Sequence, residues 1–194
     1  MHSIKDNISV RYDPCAWFYG GHQKSVSITG EMTNMIKEIT KQDIPECVDV
    51  IRTSFLTVAD AFGFNSDNAP RFTAFATTEE RLMWQLENEH RPMYGYYEND
   101  RIIGYYSLAL QDDHECELNN LCVLPEYRHE HIGEKLVNDA FDRAKALDCI
   151  KMNIGIVEEN TILRNWYEML GFHHIGTKKF DFFPFTCGYM EKGL

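Results

Sequence analysis

Apolar residues along this 194-residue chain change rhythm several times, and the changes divide it into elements. Alternation from Met35 to Thr40 predicts a strand. Asp43, Pro45 and Glu46 then open a helix: a capping acid, a proline in the first turn and a carboxylate near the positive end. Cys47, Val48, Ile51, Phe55 and Val58 continue it at helical spacing. Thr77-x-x-Glu80 reads as the capping box of a short helix through Leu82 and Leu86. The period then switches to two. Met93 to Tyr97, a turn at Asn99-Asp100, and Ile102 to Leu110 read as a β-hairpin. Asp112-Asp113 marks the next turn, and Leu118 to Leu124 the next strand. After a polar loop from Pro125, the residues Ile132, Leu136, Val137, Ala140, Phe141, Ala144 and Leu147 form one helical stripe. Ile150 to Ile156 is a strand. Asn160 begins a helix striped by Ile162, Leu163, Trp166, Tyr167 and Leu170, and Gly171 stops it. His173 to Phe180 and Phe185 to Met190 finish as strands around Pro184.

This order predicts an α/β protein of mixed type, with a mostly antiparallel sheet and flanking helices. The strands around Leu121 and Met152 are joined by a helical crossover and are therefore expected to lie parallel, as a central pair. Residues 35–194 account for that domain. Residues 1–34 are an N-terminal extension of unknown role: Trp17-Phe18-Tyr19 is apolar enough to pack on the domain or on a second subunit, and Gly20-Gly21 and the stretch to Gly30 look like turn and linker.

Composition narrows the reading. A 44% hydrophobic fraction with 13% aromatics suits a compact globule. No apolar run is long enough to span a membrane, and Met1 to Asn7 lacks the apolar core of a signal peptide. Six cysteines (Cys15, Cys47, Cys116, Cys122, Cys149, Cys187) occur without a C-x-x-C pair. They are expected as unpaired thiols in a reducing cytoplasm. A formal charge of −11 opposes nucleic-acid binding. It suits an amine substrate, whose local concentration a negative field raises, and equally suits plain solubility.

The densest signal is Val123-Leu124-Pro125-Glu126-Tyr127-Arg128-His129-Glu130-His131-Ile132-Gly133: a strand end, a polar turn and the start of a helix. Such a turn aims unpaired backbone N–H groups at one point, a ready phosphate site. With these residues it resembles the pyrophosphate loop of the GNAT family of N-acetyltransferases, whose pattern is Val, Pro two on, Arg or Gln three further, then x-x-Gly-x-Gly or Ala. Val123, Pro125, Arg128 and Gly133 match it. His131 occupies the first glycine position, and histidine tolerates left-handed backbone better than most residues. The order of elements, and the later block of Asn160, Tyr167 and Gly171-Phe172, extend the resemblance from Met35 to Met190.

The resemblance implies acetyl-CoA as co-substrate, held by the backbone from Arg128 through His129, His131, Ile132 and Gly133 to Glu134, with Asn160 on the cofactor arm. It implies a Val123 N–H free to bond the thioester carbonyl where the strand splays from its parallel neighbour. Glu117 takes the place of a general base. A carboxylate near pKa ~4.3 facing an ammonium near ~10.4 needs burial, or an intervening water, to do that work. A solvated strand-end glutamate beside Asp112, Asp113 and Glu115 is the alternative. Tyr167 takes the place of the acid for the departing thiolate, by a lowered pKa or as a hydrogen-bond donor; its other reading is core packing. Asn160 is also a good helix cap in its own right. Phe180, Phe182, Phe183 and Phe185 wall an acceptor pocket or, the favoured reading, belong to a core or subunit interface. His114, His129, Glu130 and His131 lack a third ligand at metal-binding spacing, so no metal is expected and a metal-dependent hydrolase is disfavoured.

The resulting expectation is an acetyltransferase acting on a small-molecule or peptide amine by direct attack in a ternary complex. No nucleophile motif favours a covalent acyl-enzyme. The rival is a domain of the same shape that binds acyl-CoA without turnover. Nucleic acid and membrane are not expected as partners, and a second copy of the chain is compatible.

Overall fold

The computed structural model describes residues 35–111 and 113–194. The expectations for residues 1–34, for Cys15 and for Asp112 lie outside the described residues.

Among the described residues, seven strands form one sheet: β1 (Met35–Glu38), β2 (Met93–Glu98), β3 (Arg101–Leu110), β4 (Glu115–Val123), β5 (Lys151–Val157), β6 (His173–Lys179) and β7 (Thr186–Gly193). Their order is β1-β2-β3-β4-β5-β7-β6. Every neighbouring pair is antiparallel except β4 and β5, the pair expected to be parallel from the crossover between them. The β2–β3 turn follows from its sequence: Asn99 and Asp100 take φ of 50° and 62°, the left-handed conformation that a two-residue hairpin turn requires.

Five α-helices among the described residues accompany the sheet: α1 (Ile44–Phe62), α2 (Thr73–Ala76), α3 (Glu79–Glu87), α4 (Ile132–Ala146) and α5 (Thr161–Met169). On β3, Tyr106 donates to Asp139 of α4 at 2.5 Å, while its neighbour Tyr105 lies within the electrostatic reach of Cys47 on α1. Adjacent strand residues point to opposite faces, so α1 and α4 cover opposite sides of the sheet. α1 ends at Gly63, whose φ of 68° suits glycine and lets its N–H bond back to the last turn.

Local signals were partly displaced. Asp43 does not cap α1 forward. Its carboxylate accepts from the N–H and hydroxyl of Thr40, at 2.8 and 2.7 Å, and closes a 3-10 turn at Lys41–Asp43. The cap of α3 is Thr78, which accepts from Arg81 N at 3.2 Å, and not Thr77, whose hydroxyl is donated to Thr73 O at 2.8 Å. Thr77 is spent on ending α2, an element too short for its periodicity to announce. β4 begins at Glu115, three residues before its expected start at Leu118, because Glu115, Cys116 and Glu117 are the residues that pair with β5.

The described residues bury two clusters. The larger fills both faces of the sheet and includes Ile51, Tyr105, Tyr106, Leu136 and Met152. The second is aromatic: Phe64, Phe72 and Phe185 with Ala59, Ala69, Ala74 and Val157, joining the end of α1, the segment after it and the β6–β7 connection. Cys47, Cys116, Cys122, Cys149 and Cys187 are unpaired thiols.

Candidate active site

The site begins as a gap in the sheet. β4 and β5 pair only at Glu115–Lys151, Cys116–Met152 and Glu117–Asn153. Beyond them β4 follows β3 as far as Val123–Gly104, and β5 follows β7 as far as Val157–Cys187. The two parallel strands therefore part just after Glu117.

A bulge in β4 lies within that stretch. Tyr105 faces Cys122 and Ser107 faces Asn119, which leaves both Asn120 and Leu121 opposite Tyr106. Asn120 takes φ of 54°. One extra left-handed residue shifts the alternation and re-aims everything downstream. At the far end, Leu124 N–H donates to Ile103 O of β3 at 2.8 Å. Alternation along a strand then turns the N–H and C=O of Val123 away from β3, toward the gap. The carbonyl is taken by Arg128 Nε at 3.2 Å.

The loop after Val123 coils through a 3-10 turn at Pro125–Tyr127 and enters α4 through His131, with φ 57° and ψ 17°. The left-handed conformation expected of a residue in that glycine position is thus the one histidine adopts. The first helical bond runs from Lys135 N to His131 O at 3.0 Å. The preceding N–H groups, from His131 to Glu134, have no acceptor within the helix. Ile132 anchors the turn in the core at 3% exposure. A Cβ on Gly133 would lie 3.5 Å from the Trp166 ring, ordinary contact, so α5 packs over this turn. Glu134 pairs with His131 at 3.2 Å on the exposed side. His129 is left-handed as well, with φ 76°.

Arg128 is turned inward. Its N–H is donated to Pro125 O, its Nε to Val123 O and its Nη2 to Ser54 O on α1 at 3.0 Å. The guanidinium therefore ties the loop to the strand end and to α1, and any part it has in phosphate binding passes through the loop's shape. Ser54 is a partner that nothing in the sequence marks, because only its carbonyl is used.

Glu117 stands at the point where the strands part. Burial raises its carboxyl above the usual carboxylate range, and the Arg91 guanidinium opposes the shift. Arg91 is itself held by Glu89, Nε to Oε2 at 2.8 Å. Across the gap, the charge of Glu117 reaches the Tyr189 phenol of β7 and helps to raise it, after burial and Cys187. Neither Arg91 nor Tyr189 stands out in the sequence, since each meets Glu117 only through the fold.

Tyr167 is 6% exposed. Its ring packs edge-on against Trp166 and Phe172, with centroids 4.9 and 5.4 Å away. Burial pushes its phenol strongly upward, with Cys122 of β4 adding to the shift. The ring belongs to the core, and its hydroxyl makes no hydrogen bond among the described residues. Asn160 caps α5, accepting from Leu163 N at 3.1 Å. Of the phenylalanine run, Phe183 and Phe185 join the second core, and Phe182 remains 43% exposed.

The site is thus a mixed sheet whose central parallel strands part beside a helix N-terminus, with the half-buried carboxylate of Glu117 at the fork. The model of the acetyltransferase (GNAT) family matches residues 60–172, more than half of the chain, and the chain belongs to that family. An uncharacterized N-acetyltransferase from the pepI 3' region of Lactobacillus delbrueckii subsp. lactis is 22% identical over 147 residues, covering 70% of this chain and 82% of that one. Among solved structures, the PaiA N-acetyltransferase of Thermoplasma acidophilum in complex with coenzyme A superposes with a TM-score of 0.70. It is 19% identical over 84% of this chain and 100% of its own. A GNAT family acetyltransferase of Elizabethkingia anophelis with acetyl-CoA bound gives a TM-score of 0.54, at 23% identity over 59% of this chain and 83% of its own. Among the described residues, no helix is long and apolar enough to cross a membrane.

Proposed function

We propose that this chain is an N-acetyltransferase that moves the acetyl group of acetyl-CoA to a primary amine by direct attack within a ternary complex. The observation that carries the reading is the fork between β4 and β5, with Glu117 at its apex and the α4 N-terminus beyond its mouth. The solved neighbours that hold coenzyme A or acetyl-CoA support the choice of donor.

The roles follow from position. The N–H groups of His131, Ile132, Gly133 and Glu134 receive the pyrophosphate, with the helix dipole behind them. Val123 N–H receives the thioester oxygen, and its bond strengthens as that oxygen gains charge. Glu117 takes the proton from the incoming ammonium, directly or through one water, and its raised pKa narrows the gap to the amine. The free amine attacks the carbonyl carbon. The tetrahedral intermediate then loses one nitrogen proton and collapses, breaking the carbon–sulfur bond and releasing the thiolate of CoA, which takes up a proton to leave as the thiol. Burial raises the Tyr167 phenol, which favours the part of a neutral hydroxyl donating to the departing sulfur. Asn160, already the cap of α5, keeps its amide N–H for the cofactor arm.

Acetyl transfer to a panel of amines, followed by thiol release, is the test, with CoA binding by calorimetry beside it. Thiol release that requires the amine and is lost in Glu117→Gln supports the proposal. CoA binding without turnover on any amine leaves the non-catalytic binding module. No CoA binding by folded protein removes both.

A further inference from the structure

Beside the bulge lies a cavity of about 60 Å³, lined by Arg71, Thr73, Thr77, Arg81, Gln85 and Asn120. In a chain with 30 acidic and 19 basic residues, its lining holds two arginines and no carboxylate. Neither guanidinium has an acidic partner among the described residues. Arg71 stacks on Phe182 instead, 4.5 Å from the ring centroid, so the β6–β7 connection holds its charge in place. Gln85 is 6% exposed, and its side-chain amide has no hydrogen-bond partner among the described residues, nor has that of Asn120. Both amides line the cavity, where their donors and acceptors can meet a ligand. Two forked cations and two amides facing a space the size of one or two water molecules are a receptor for a small anion.

Asn120 places that receptor relative to the chemistry. It is three residues from Glu117 and three from Val123, about 10 Å along a strand in either direction. Resting on the acetyltransferase reading above, we infer that the acceptor amine carries an anionic group, of carboxylate or phosphate type, which the Arg71–Arg81 cavity binds while the amine reaches Glu117. The acceptor is then a zwitterion with its charges separated by a short chain. The acidic field of the whole protein draws in its ammonium end, and the arginines orient it.

The test pairs ω-amino acids, from glycine to 6-aminohexanoate, with the alkylamines that lack the carboxylate; 2-aminoethylphosphonate is the phosphate-type probe. For the best chain length, kcat/KM of the acid is expected to exceed that of the paired amine by at least about tenfold, a factor worth ~1.4 kcal/mol. Arg81→Ala and Arg71→Ala should lower the acid's value at least about tenfold more than the amine's, chiefly through KM. Arg81→Lys should restore part of it, and Arg81→Glu should turn the preference toward 1,5-diaminopentane. CoA affinity serves as the folding control. Equal use of acids and amines by the wild type, or a preference that survives in the Arg71→Ala/Arg81→Ala double variant, overturns the inference and leaves the acetyltransferase reading standing. If nothing turns over, calorimetry with the same acids on the CoA-loaded protein decides: binding lost in Arg81→Ala supports the receptor without the enzyme, and no binding overturns it.

Discussion

At the residue scale, Glu117 carries an asymmetry that can be measured twice. Its carboxyl is raised by burial, so the folded state disfavours the charge that the proposed reaction needs. Stability from this group is present below its unfolded pKa and declines as pH rises through the interval up to the raised folded value. Glu117→Gln should therefore raise the melting temperature at neutral pH while lowering kcat about a hundredfold or more. The acidic limb of the rate profile should lie above the ordinary carboxylate range. Arg91→Met, which removes the opposing cation, should move that limb further up. Tyr167→Phe separates two roles: the ring's contacts persist, so stability should hold within ~0.5 kcal/mol, and kcat should fall if the hydroxyl meets the thiolate. Glu117 and Tyr167 were legible as candidates because each stands at a place the family pattern marks. Arg91, Tyr189 and Ser54 were not, because each acquires its part from a neighbour distant in sequence.

At the scale of elements, the long periodic stretches gave themselves away and the irregular ones did not. α1, α4, the β2–β3 hairpin and the parallel β4–β5 pair all follow from apolar spacing and turn chemistry. The bulge at Asn120 follows from neither: Asn119 and Asn120 sit in a strand whose alternation reads on undisturbed, and only pairing with β3 exposes the extra residue. α2 and the true cap of α3 were hidden because adjacent threonines compete for the same backbone groups. The bulge is testable as a unit. Asn120→Gly should be tolerated, whereas Asn120→Val, a β-branched residue at φ 54°, should cost about 1–2 kcal/mol by denaturant titration. The loop after Val123 is another such unit. Arg128→Ala removes the donors to Val123 O and Ser54 O and should cost about 1–3 kcal/mol, together with a loss of CoA affinity. Arg128→Lys should not restore it, because one ammonium cannot span both carbonyls.

At the scale of the whole molecule, the two buried clusters divide the work. The sheet core sets β4, α4 and α5, and with them the fork and the helix end proposed for the donor. The aromatic cluster sets the segment bearing Arg71 and Thr73 and the connection bearing Phe182. Phe185 lies 4.9 Å from Phe64 and 4.6 Å from Phe183, centroid to centroid, and is 6% exposed. Phe185→Ala should cost about 3–5 kcal/mol in thermal or chemical unfolding, and it should raise KM for the acceptor more than Kd for CoA.

The second cluster has a consequence for descent as well as for stability. A lineage that must keep one donor but change its acceptor cannot disturb the donor's seat each time. Here the acceptor wall proposed above hangs from its own small foundation of phenylalanines, joined to the rest through the end of α1 and the end of β5. Substitutions at Arg71, Arg81 or Phe182 can accumulate there while the fork stays as it was. The same arrangement offers an engineer a place to rewrite selectivity, with the aromatic cluster as the part to leave alone.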